Sequence, residues 1–232
     1  MKYVHYLLGI LFSFCLVITL LITSVEAVVY WTPGYFEKEY TKYNVTADVR
    51  MEMDDLLEVT DEMMDYLRGD REDLHVPTIV DGQPREFFNA REIAHMEDVQ
   101  MLFLAGLALR RICIVAAVIC LAALFLMKAP ISRVLPRSIC GGTGLFFAIV
   151  CGLAAIIATD FTKYFTIFHE IFFDNDLWIL NPATDLLINI VPEPFFVDTA
   201  AAIGITFGAS IAIIFLICFF WMRRSKRNAS NG

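Results

Sequence analysis

Two histidines, His95 and His169, stand in the stretches of this chain that are best suited to proton-transfer chemistry. His169 lies within FTIFHEIFF, where the flanking phenylalanines predict partial desolvation and a proton affinity set by nearby carboxylates. His95 lies within REIAHMEDV, between an arginine and an aspartate. Two histidines can act as base and acid in one reaction when their surroundings separate their pKa values. No GxSxG nucleophile motif is present, which disfavours a covalent serine mechanism.

The residues around both histidines add charges, amides and aromatic rings. On a helix capped by Asn89, the residues Arg91, His95 and Asp98 share one face, because positions i, i+4 and i+7 lie above one another. Glu92 lies beside that face. The candidates for orienting the histidines and a substrate are Arg91, Glu92, Asp98, Phe168, Phe172, Phe173, Asn175, Asp176 and Trp178.

Both motifs also have purely structural interpretations. The aromatic residues Phe165, Phe168, Phe172, Phe173 and Trp178 are typical of a belt at a membrane surface. The charged face around Arg91 is equally typical of a solvated helix with salt bridges. A belt alone does not explain a histidine placed among phenylalanines, and the position of the charged helix just before a span weakens the solvated-face interpretation. Both structural interpretations stay open at this point.

The composition predicts an all-α membrane protein. Hydrophobic residues make up 58% of 232 residues and the mean hydropathy is +0.62, which excludes an ordinary soluble domain. We predict a single integral membrane domain over residues 1–232, with spans at about 6–29, 105–127, 139–158 and 199–222. The first span is predicted to be retained, because its apolar run is longer than that of a secretory signal.

Charge predicts the orientation of these spans. Residues 30–100 carry 18 acidic and seven basic side chains, and residues 160–198 carry seven acidic and one basic. The basic residues Lys2, Lys128, Arg133, Arg137, Arg223, Arg224, Lys226 and Arg227 flank the other ends of the spans. By the positive-inside rule, we expect extracellular loops at 30–104 and 159–198, with both termini and the 128–138 connector in the cytoplasm.

The first outer loop is predicted to contain an amphipathic helix over 45–67, from its helical spacing of apolar residues, and a small β-hairpin turning at Asp81-Gly82. The stretch 161–196 is predicted to be a loop with a short helix over 186–191, for which Asp185 is a possible cap. Small residues in the last two spans are predicted to serve helix packing.

The cysteines offer no framework for a disulfide or a metal. All six fall in or beside the spans, where a cysteine usually serves as a small apolar residue, and no CxxC or Cys/His ligand spacing occurs. We therefore predict no metal site and no cofactor.

The two histidine motifs carry a family resemblance. REIAHMEDV at 91–99 and IFHEIFFDNDLWILNPATDLLINIVPEPFF at 167–196, on four spans with a large loop after the first, resemble the lipoprotein intramolecular transacylase (Lit) family of Gram-positive bacteria. The resemblance covers the chain from the first span to the last.

This resemblance implies transfer of the sn-2 acyl chain of a diacylglyceryl lipoprotein to the α-amine of its own N-terminal cysteine, giving a lyso-form lipoprotein. It also implies that His95 and His169 form the catalytic pair, with their roles as base and as acid or oxyanion stabiliser left open. A substrate amine as nucleophile requires no protein nucleophile. The expected partners are the lipoprotein and the bilayer; we expect a monomer and no nucleic acid.

Two other functions fit parts of the sequence. A non-enzymatic membrane protein would bind a partner through its acidic outer domain and use its histidines to sense pH. A membrane zinc hydrolase would use the histidines and carboxylates as ligands, but the chain has no HExxH-like pair.

Overall fold

The computed structural model describes the backbone of residues 2–230 and the side chains of residues 2–224. Met1, Asn231, Gly232 and the side chains of Lys226 and Arg227, all assigned above to the cytoplasmic side, lie outside the described residues. The elements in chain order are α1 (Lys2–Val29), α2 (Tyr35–Tyr43), α3 (Val45–Val49), α4 (Met53–Arg68), β1 (Pro77–Val80), β2 (Gln83–Glu86), α5 (Ala90–Leu126), α6 (Ile131–Ile157), α7 (Phe161–Phe172), α8 (Leu187–Ile190) and α9 (Glu193–Ser230).

Among the described residues, four helices, α1, α5, α6 and α9, are long and apolar enough to cross a membrane. About 20 apolar residues in a helix suffice for this. The predicted class, an all-α protein with four membrane-spanning helices and a small β-hairpin, is therefore confirmed. Helix α5 has 37 residues, more than a bilayer requires, and its apolar run follows a polar N-terminal part.

The chain divides into two compact units. The first contains the described residues of Met1–Ala27, Leu107–Thr159 and Ala202–Gly232, and the second contains Val28–Gly106 and Asp160–Ala201. The N-terminal part of α5 thus belongs to the second unit and its apolar part to the first. All the candidate site residues named above fall in the second unit.

In the first unit, α1 and α6 approach closely because small residues face each other. A side chain at Gly9 would overlap Ser138, and one at Gly142 would overlap Ser13. This is the tight packing that small residues allow between membrane helices. A core of Leu124, Val134, Leu135, Ile139 and Cys218 is buried in the same unit.

Arg110 interrupts the apolar run of α5 and forms an ion pair with Glu26 of α1. Both side chains are largely buried, with 19% and 6% of their surface exposed. Each charge therefore has a partner within the first unit, and Arg110 is held against protein rather than left among apolar side chains.

In the second unit, the predicted amphipathic helix over 45–67 is broken into α3 and α4. The break lies at Arg50, whose φ of 55° ends α3 in the left-handed conformation. Arg50 then contacts the hairpin turn, since its carbonyl accepts from the Asp81 N–H at 2.9 Å and its guanidinium pairs with the Asp81 carboxylate at 3.0 Å. The apolar face of α4 is buried as predicted, including Leu56, Val59 and Met63.

The hairpin forms at the predicted turn. Strands β1 and β2 are antiparallel, with Pro77 opposite Glu86 and Val80 opposite Gln83. The two turn residues, Asp81 and Gly82, both have positive φ, at 53° and 72°. This is the backbone of a two-residue hairpin turn, for which Asp-Gly is a preferred pair.

The stretch 161–196, predicted as a loop, begins with a 12-residue helix, α7. Asp160 caps it by accepting from the Lys163 N–H at 3.1 Å. The sequence FTKYFTIFHEIF did not predict this helix, because its aromatic and apolar residues are equally typical of an irregular segment at the membrane interface. The short helix predicted over 186–191 is present as α8, Leu187–Ile190.

Candidate functional site

His95 lies in the second turn of α5, whose start is fixed by Asn89. The Asn89 side-chain oxygen accepts from the N–H groups of Arg91 and Glu92 at 2.9 and 3.1 Å, which is the predicted N-cap. The cap sets the register of the following turn and thereby the direction of the His95 side chain. His95 is buried, with 7% of its surface exposed.

His169 lies near the end of α7 and is enclosed by aromatic rings. Its imidazole centroid is 4.2 Å from that of Phe165, 5.4 Å from Phe173 and 4.9 Å from Trp178. Phe168 contacts it edge-on at 5.5 Å. Like His95, it is 7% exposed. Such surroundings favour the neutral imidazole, because an imidazolium would lose most of its hydration there.

The fold brings the two imidazoles together. Their centroids lie 6.1 Å apart with the ring planes tilted by 35°. Phe173 touches both, with centroid distances of 5.4 Å to each ring. The two histidines, 74 positions apart in the sequence, thus share one buried cluster within the second unit.

Burial lowers the pKa of both histidines. The pKa of His95 falls to about 4, chiefly because burial penalises the charged ring, with the neighbouring His169 and Arg91 adding to the effect and Asp98 opposing it. Burial also lowers the pKa of His169, while its hydrogen bond to the Phe165 carbonyl opposes the shift. Both rings are therefore neutral at pH 7. The hydrogen bond to the Phe165 carbonyl stabilises the charged form of His169.

The hydrogen bond of His169 determines its tautomer. Nδ1 lies 2.7 Å from the backbone carbonyl oxygen of Phe165. A carbonyl oxygen can only accept, so Nδ1 carries the proton and the Nε2 lone pair is available as a base. Nδ1 of His95, by contrast, is buried and has no hydrogen-bond partner among the described residues.

Arg91 ties the start of α5 to the segment after α7. Its guanidinium donates to the backbone carbonyl of Asp176 and lies 3.5 Å from the carboxylate of the same residue. Arg91 therefore fixes the segment that carries Trp178, and its buried Nε–H group is a hydrogen-bond donor without an acceptor among the described residues.

Asp98 reaches the histidines indirectly, through Asn175 and Trp178. The Asp98 carboxylate accepts from the Asn175 side-chain amide at 2.8 Å, and the Asn175 carbonyl accepts from the Trp178 indole N–H at 3.0 Å. The Trp178 ring then packs against His169. This chain of contacts fixes the orientation of the indole beside the imidazole.

Glu92 bonds to backbone rather than to either histidine. It is fully buried, and its two oxygens accept from the N–H groups of Asn89 at 2.7 Å and Leu187 at 2.6 Å. Burial raises its pKa, and these backbone donors oppose the rise. The first bond completes a capping box with Asn89, and the second attaches the start of α8 to α5.

Asp185, predicted as a possible cap of the short helix, does not cap it, because Leu186 occupies the N-cap position and makes no side-chain bond. The Asp185 carboxylate instead accepts from the Asn89 side-chain amide at 2.9 Å and from the Asn181 N–H at 2.7 Å. Asn89 and Asp185 thus join Glu92 in holding the 181–187 segment to α5. Only the capping signal at Asn89 was visible in the sequence.

A cavity of about 380 Å³ adjoins the histidine cluster, a size typical of small-molecule sites. Its lining consists of Asp98, Met101, Leu102, Phe172, Phe173, Asp174 and Asn175. Phe173 is the residue that this lining shares with the histidine contacts. The cavity lining therefore combines two carboxylates and an amide with apolar side chains.

Phe168 and Phe172 extend the aromatic cluster to the surface of the second unit. Their rings are 4.7 Å apart, and 42% and 52% of their surfaces are exposed. Their outward faces are suited to apolar ligands. Within the described part of the chain, no group of three or more His, Cys, Asp or Glu side chains could hold a metal ion.

Comparison with known proteins places the chain in a family. The family model for lipoprotein intramolecular transacylase Lit matches residues 10–196, and no curated protein sequence matches. A solved structure of the membrane-integral lipoprotein intramolecular transacylase Lit from Bacillus cereus is 21% identical, with a TM-score of 0.81 over 98% of this chain and 100% of the other.

Another structure of the Bacillus cereus protein, in which one histidine is replaced by arginine, is 22% identical, with a TM-score of 0.78 over 98% of this chain and 96% of the other. These likenesses show that the fold is shared. Because the family model covers most of the sequence, including both histidine motifs, this chain belongs to the lipoprotein intramolecular transacylase family.

Proposed function

We propose that this membrane transacylase moves the sn-2 acyl chain of a diacylglyceryl lipoprotein to the α-amine of the same molecule's N-terminal cysteine. The observation that carries the proposal is the buried pair of imidazoles, His95 and His169, with centroids 6.1 Å apart. An ester and an amine on one substrate need positioning and proton transfer, and no activated protein nucleophile.

The reaction balances with the substrate and two imidazoles alone. The amine nitrogen attacks the ester carbonyl carbon, and an oxyanion forms. An N–H proton passes to a histidine, the bond between the carbonyl carbon and the glycerol oxygen breaks, and that oxygen takes up a proton. The products are an amide on the cysteine and a free hydroxyl at the sn-2 position.

The contacts of the two rings support different roles for them. His169 is the base: its Nδ1 proton is held by the Phe165 carbonyl, its Nε2 lone pair is available, and that same hydrogen bond supports its charged form. His95, whose pKa is lowered to about 4, stays neutral and donates a hydrogen bond to the oxyanion.

Other side chains position the reacting groups. Trp178 and Phe173 hold the His169 ring, while Arg91 and Asn175 fix the segment that carries Trp178. The exposed faces of Phe168 and Phe172 would contact the acyl chains, since apolar contact requires no hydrogen-bond partner. Asp98, in the adjoining cavity, would face the polar end of the substrate.

We place this site on the extracellular side. The second unit holds the histidine pair and nearly all the acidic residues, whereas the 128–138 connector is basic. The proposed spans remain about 6–29, 105–127, 139–158 and 199–222, with both termini cytoplasmic. We propose that the enzyme acts as a monomer, since His95 and His169 meet within a single unit of the chain.

The test uses three histidine variants. His95→Ala and His169→Ala are purified in detergent and offered a synthetic diacylglyceryl lipopeptide, and mass spectrometry follows the movement of the acyl chain to the amine. His75→Ala is the matched control, because His75 is exposed and belongs to the same unit. We expect loss of conversion in the first two variants only. Full conversion by either of them would overturn the assignment.

A further inference from the structure

A groove between α1 and α6, within the first unit, has no part in the proposed acyl transfer. Its volume is about 380 Å³, and its lining includes Tyr6 and Ile10 of α1 together with Arg137, Gly141 and Leu145 of α6. Arg137 and Leu145 are eight residues apart on one helix, so the groove runs for roughly 12 Å along α6. One end is cationic and the remainder is apolar.

The groove is preformed. Ser138 and Gly142, which also line it, are the residues through which α6 contacts Gly9 and Ser13 of α1. These contacts leave no room for a side chain at either glycine and hold the two helices at a set distance. Gly141 has open space around its Cβ position, so the groove is open at that residue.

The cationic end is available to an anion. The Arg137 guanidinium donates weakly to the Tyr6 hydroxyl at 3.4 Å, and it makes no ion pair with any described carboxylate. Helix α6 contains no Asp or Glu from Ile131 to Ile157. A guanidinium flanked by a hydroxyl suits a phosphate group, to which arginine can donate two hydrogen bonds.

We propose that this groove binds an anionic phospholipid, with the phosphate on Arg137 and Tyr6 and one acyl chain along Ile10, Gly141 and Leu145. Exposed apolar residues in a bilayer always contact lipid, but a fixed groove that begins at an unpaired arginine selects by charge. The proposed occupant is a whole lipid, because the groove joins a cationic end to an apolar lining, and this combination suits a phosphate group with an attached acyl chain.

The test measures which lipids stay bound. The full chain is reconstituted in mixtures of phosphatidylglycerol and phosphatidylcholine with identical chains, and native mass spectrometry counts the lipids retained. We expect the protein to retain phosphatidylglycerol preferentially. Arg137→Gln should reduce this preference about fivefold, and Arg224→Gln, an exposed arginine outside the groove, should leave it unchanged. Equal retention of the two lipids, or an equal effect of both substitutions, would overturn the proposal.

A second pair of variants tests the apolar part. Gly141→Leu fills the groove, while Gly144→Leu adds the same side chain to α6 outside the groove, and both positions have open space. We expect lipid retention to fall only in Gly141→Leu.

Free glycerol phosphate should not displace the lipid, and displacement would contradict a whole-lipid site. His169→Ala should keep the preference, so this site and the proposed acyl transfer succeed or fail separately.

Discussion

Nδ1 of His169 lies 2.7 Å from the backbone carbonyl oxygen of Phe165, one turn earlier on the same helix. Because the carbonyl only accepts, the neutral ring has its lone pair on Nε2. The helix itself therefore determines which nitrogen can take a proton. No carboxylate is needed to set this tautomer, which is consistent with an aromatic rather than an acidic enclosure around the ring.

Replacing His169 by asparagine should separate this hydrogen bond from base catalysis. The asparagine amide can occupy the place of Nδ1 and donate to the Phe165 carbonyl, but it has no basic nitrogen. We expect the rate of lyso-form production to fall by about 10²- to 10⁴-fold, the usual contribution of a general base. Thermal stability should stay closer to that of the wild type than in His169→Ala. A rate within tenfold of the wild type would exclude His169 as the base.

Folding stability should decrease as the pH falls from 6.5 towards 4. The pKa of His95 is about 4 in the folded protein, against 6.5 for an ordinary histidine, so the unfolded chain binds more protons across this window. The lowered pKa of His169 acts in the same direction. The midpoint of thermal unfolding in detergent, measured at pH 7 and pH 5, should drop less for the double variant His95→Gln/His169→Gln. An unchanged slope would contradict the buried neutral pair.

Trp178 should affect catalysis through its ring more than through its N–H. Trp178→Phe keeps an aromatic face against His169 but loses the hydrogen bond to the Asn175 carbonyl, which is worth about 0.5–1.5 kcal/mol. We expect a loss of conversion rate of about tenfold or less for Trp178→Phe and a larger loss for Trp178→Ala. Lipopeptide conversion at saturating substrate is the measurement. Equal losses would assign the effect to the hydrogen bond.

Glu92 should contribute to stability and should not act as an acid or base. Glu92→Ala removes the acceptors of the buried Leu187 N–H and the part-buried Asn89 N–H, and a buried donor left without an acceptor costs about 1–3 kcal/mol. Glu92→Gln keeps one acceptor and should cost less. Thermal unfolding compares both variants with Glu97→Ala, an exposed position on the same helix. A stable Glu92→Ala variant that had lost activity would indicate a direct catalytic role.

Removing one partner of the buried ion pair between Arg110 and Glu26 should lower the free energy of unfolding strongly, whereas replacing both partners by apolar residues should lower it little. Glu26→Ala leaves the Arg110 charge unpaired, and we expect a destabilisation of about 3–5 kcal/mol. The double variant Glu26→Leu/Arg110→Met removes both charges and should recover most of that loss. Thermal unfolding of the three proteins in one detergent checks this. A double variant as unstable as Glu26→Ala would show that the pair does more than neutralise its own charges.

Several features of this protein were determined by short-range sequence signals. Runs of about 20 apolar residues predicted four membrane-spanning helices, because a helix of that length satisfies its own backbone in lipid. The Asp81-Gly82 pair predicted the hairpin turn, and Asn89 predicted the start of α5. Each of these outcomes depends on residues within a few positions of one another, so no knowledge of packing was required.

The tertiary structure alone decided the remaining features. The break at Arg50 accompanies a contact with the hairpin turn at Asp81, and Asp185 contacts Asn89, 96 positions away. The distance between His95 and His169 likewise depends on how α5 and α7 pack, which residue spacing does not encode. The sequence by itself determined which residues have the chemistry for proton transfer; only the packing of distant segments decided that two of them meet, since long-range contacts form where buried surfaces are complementary.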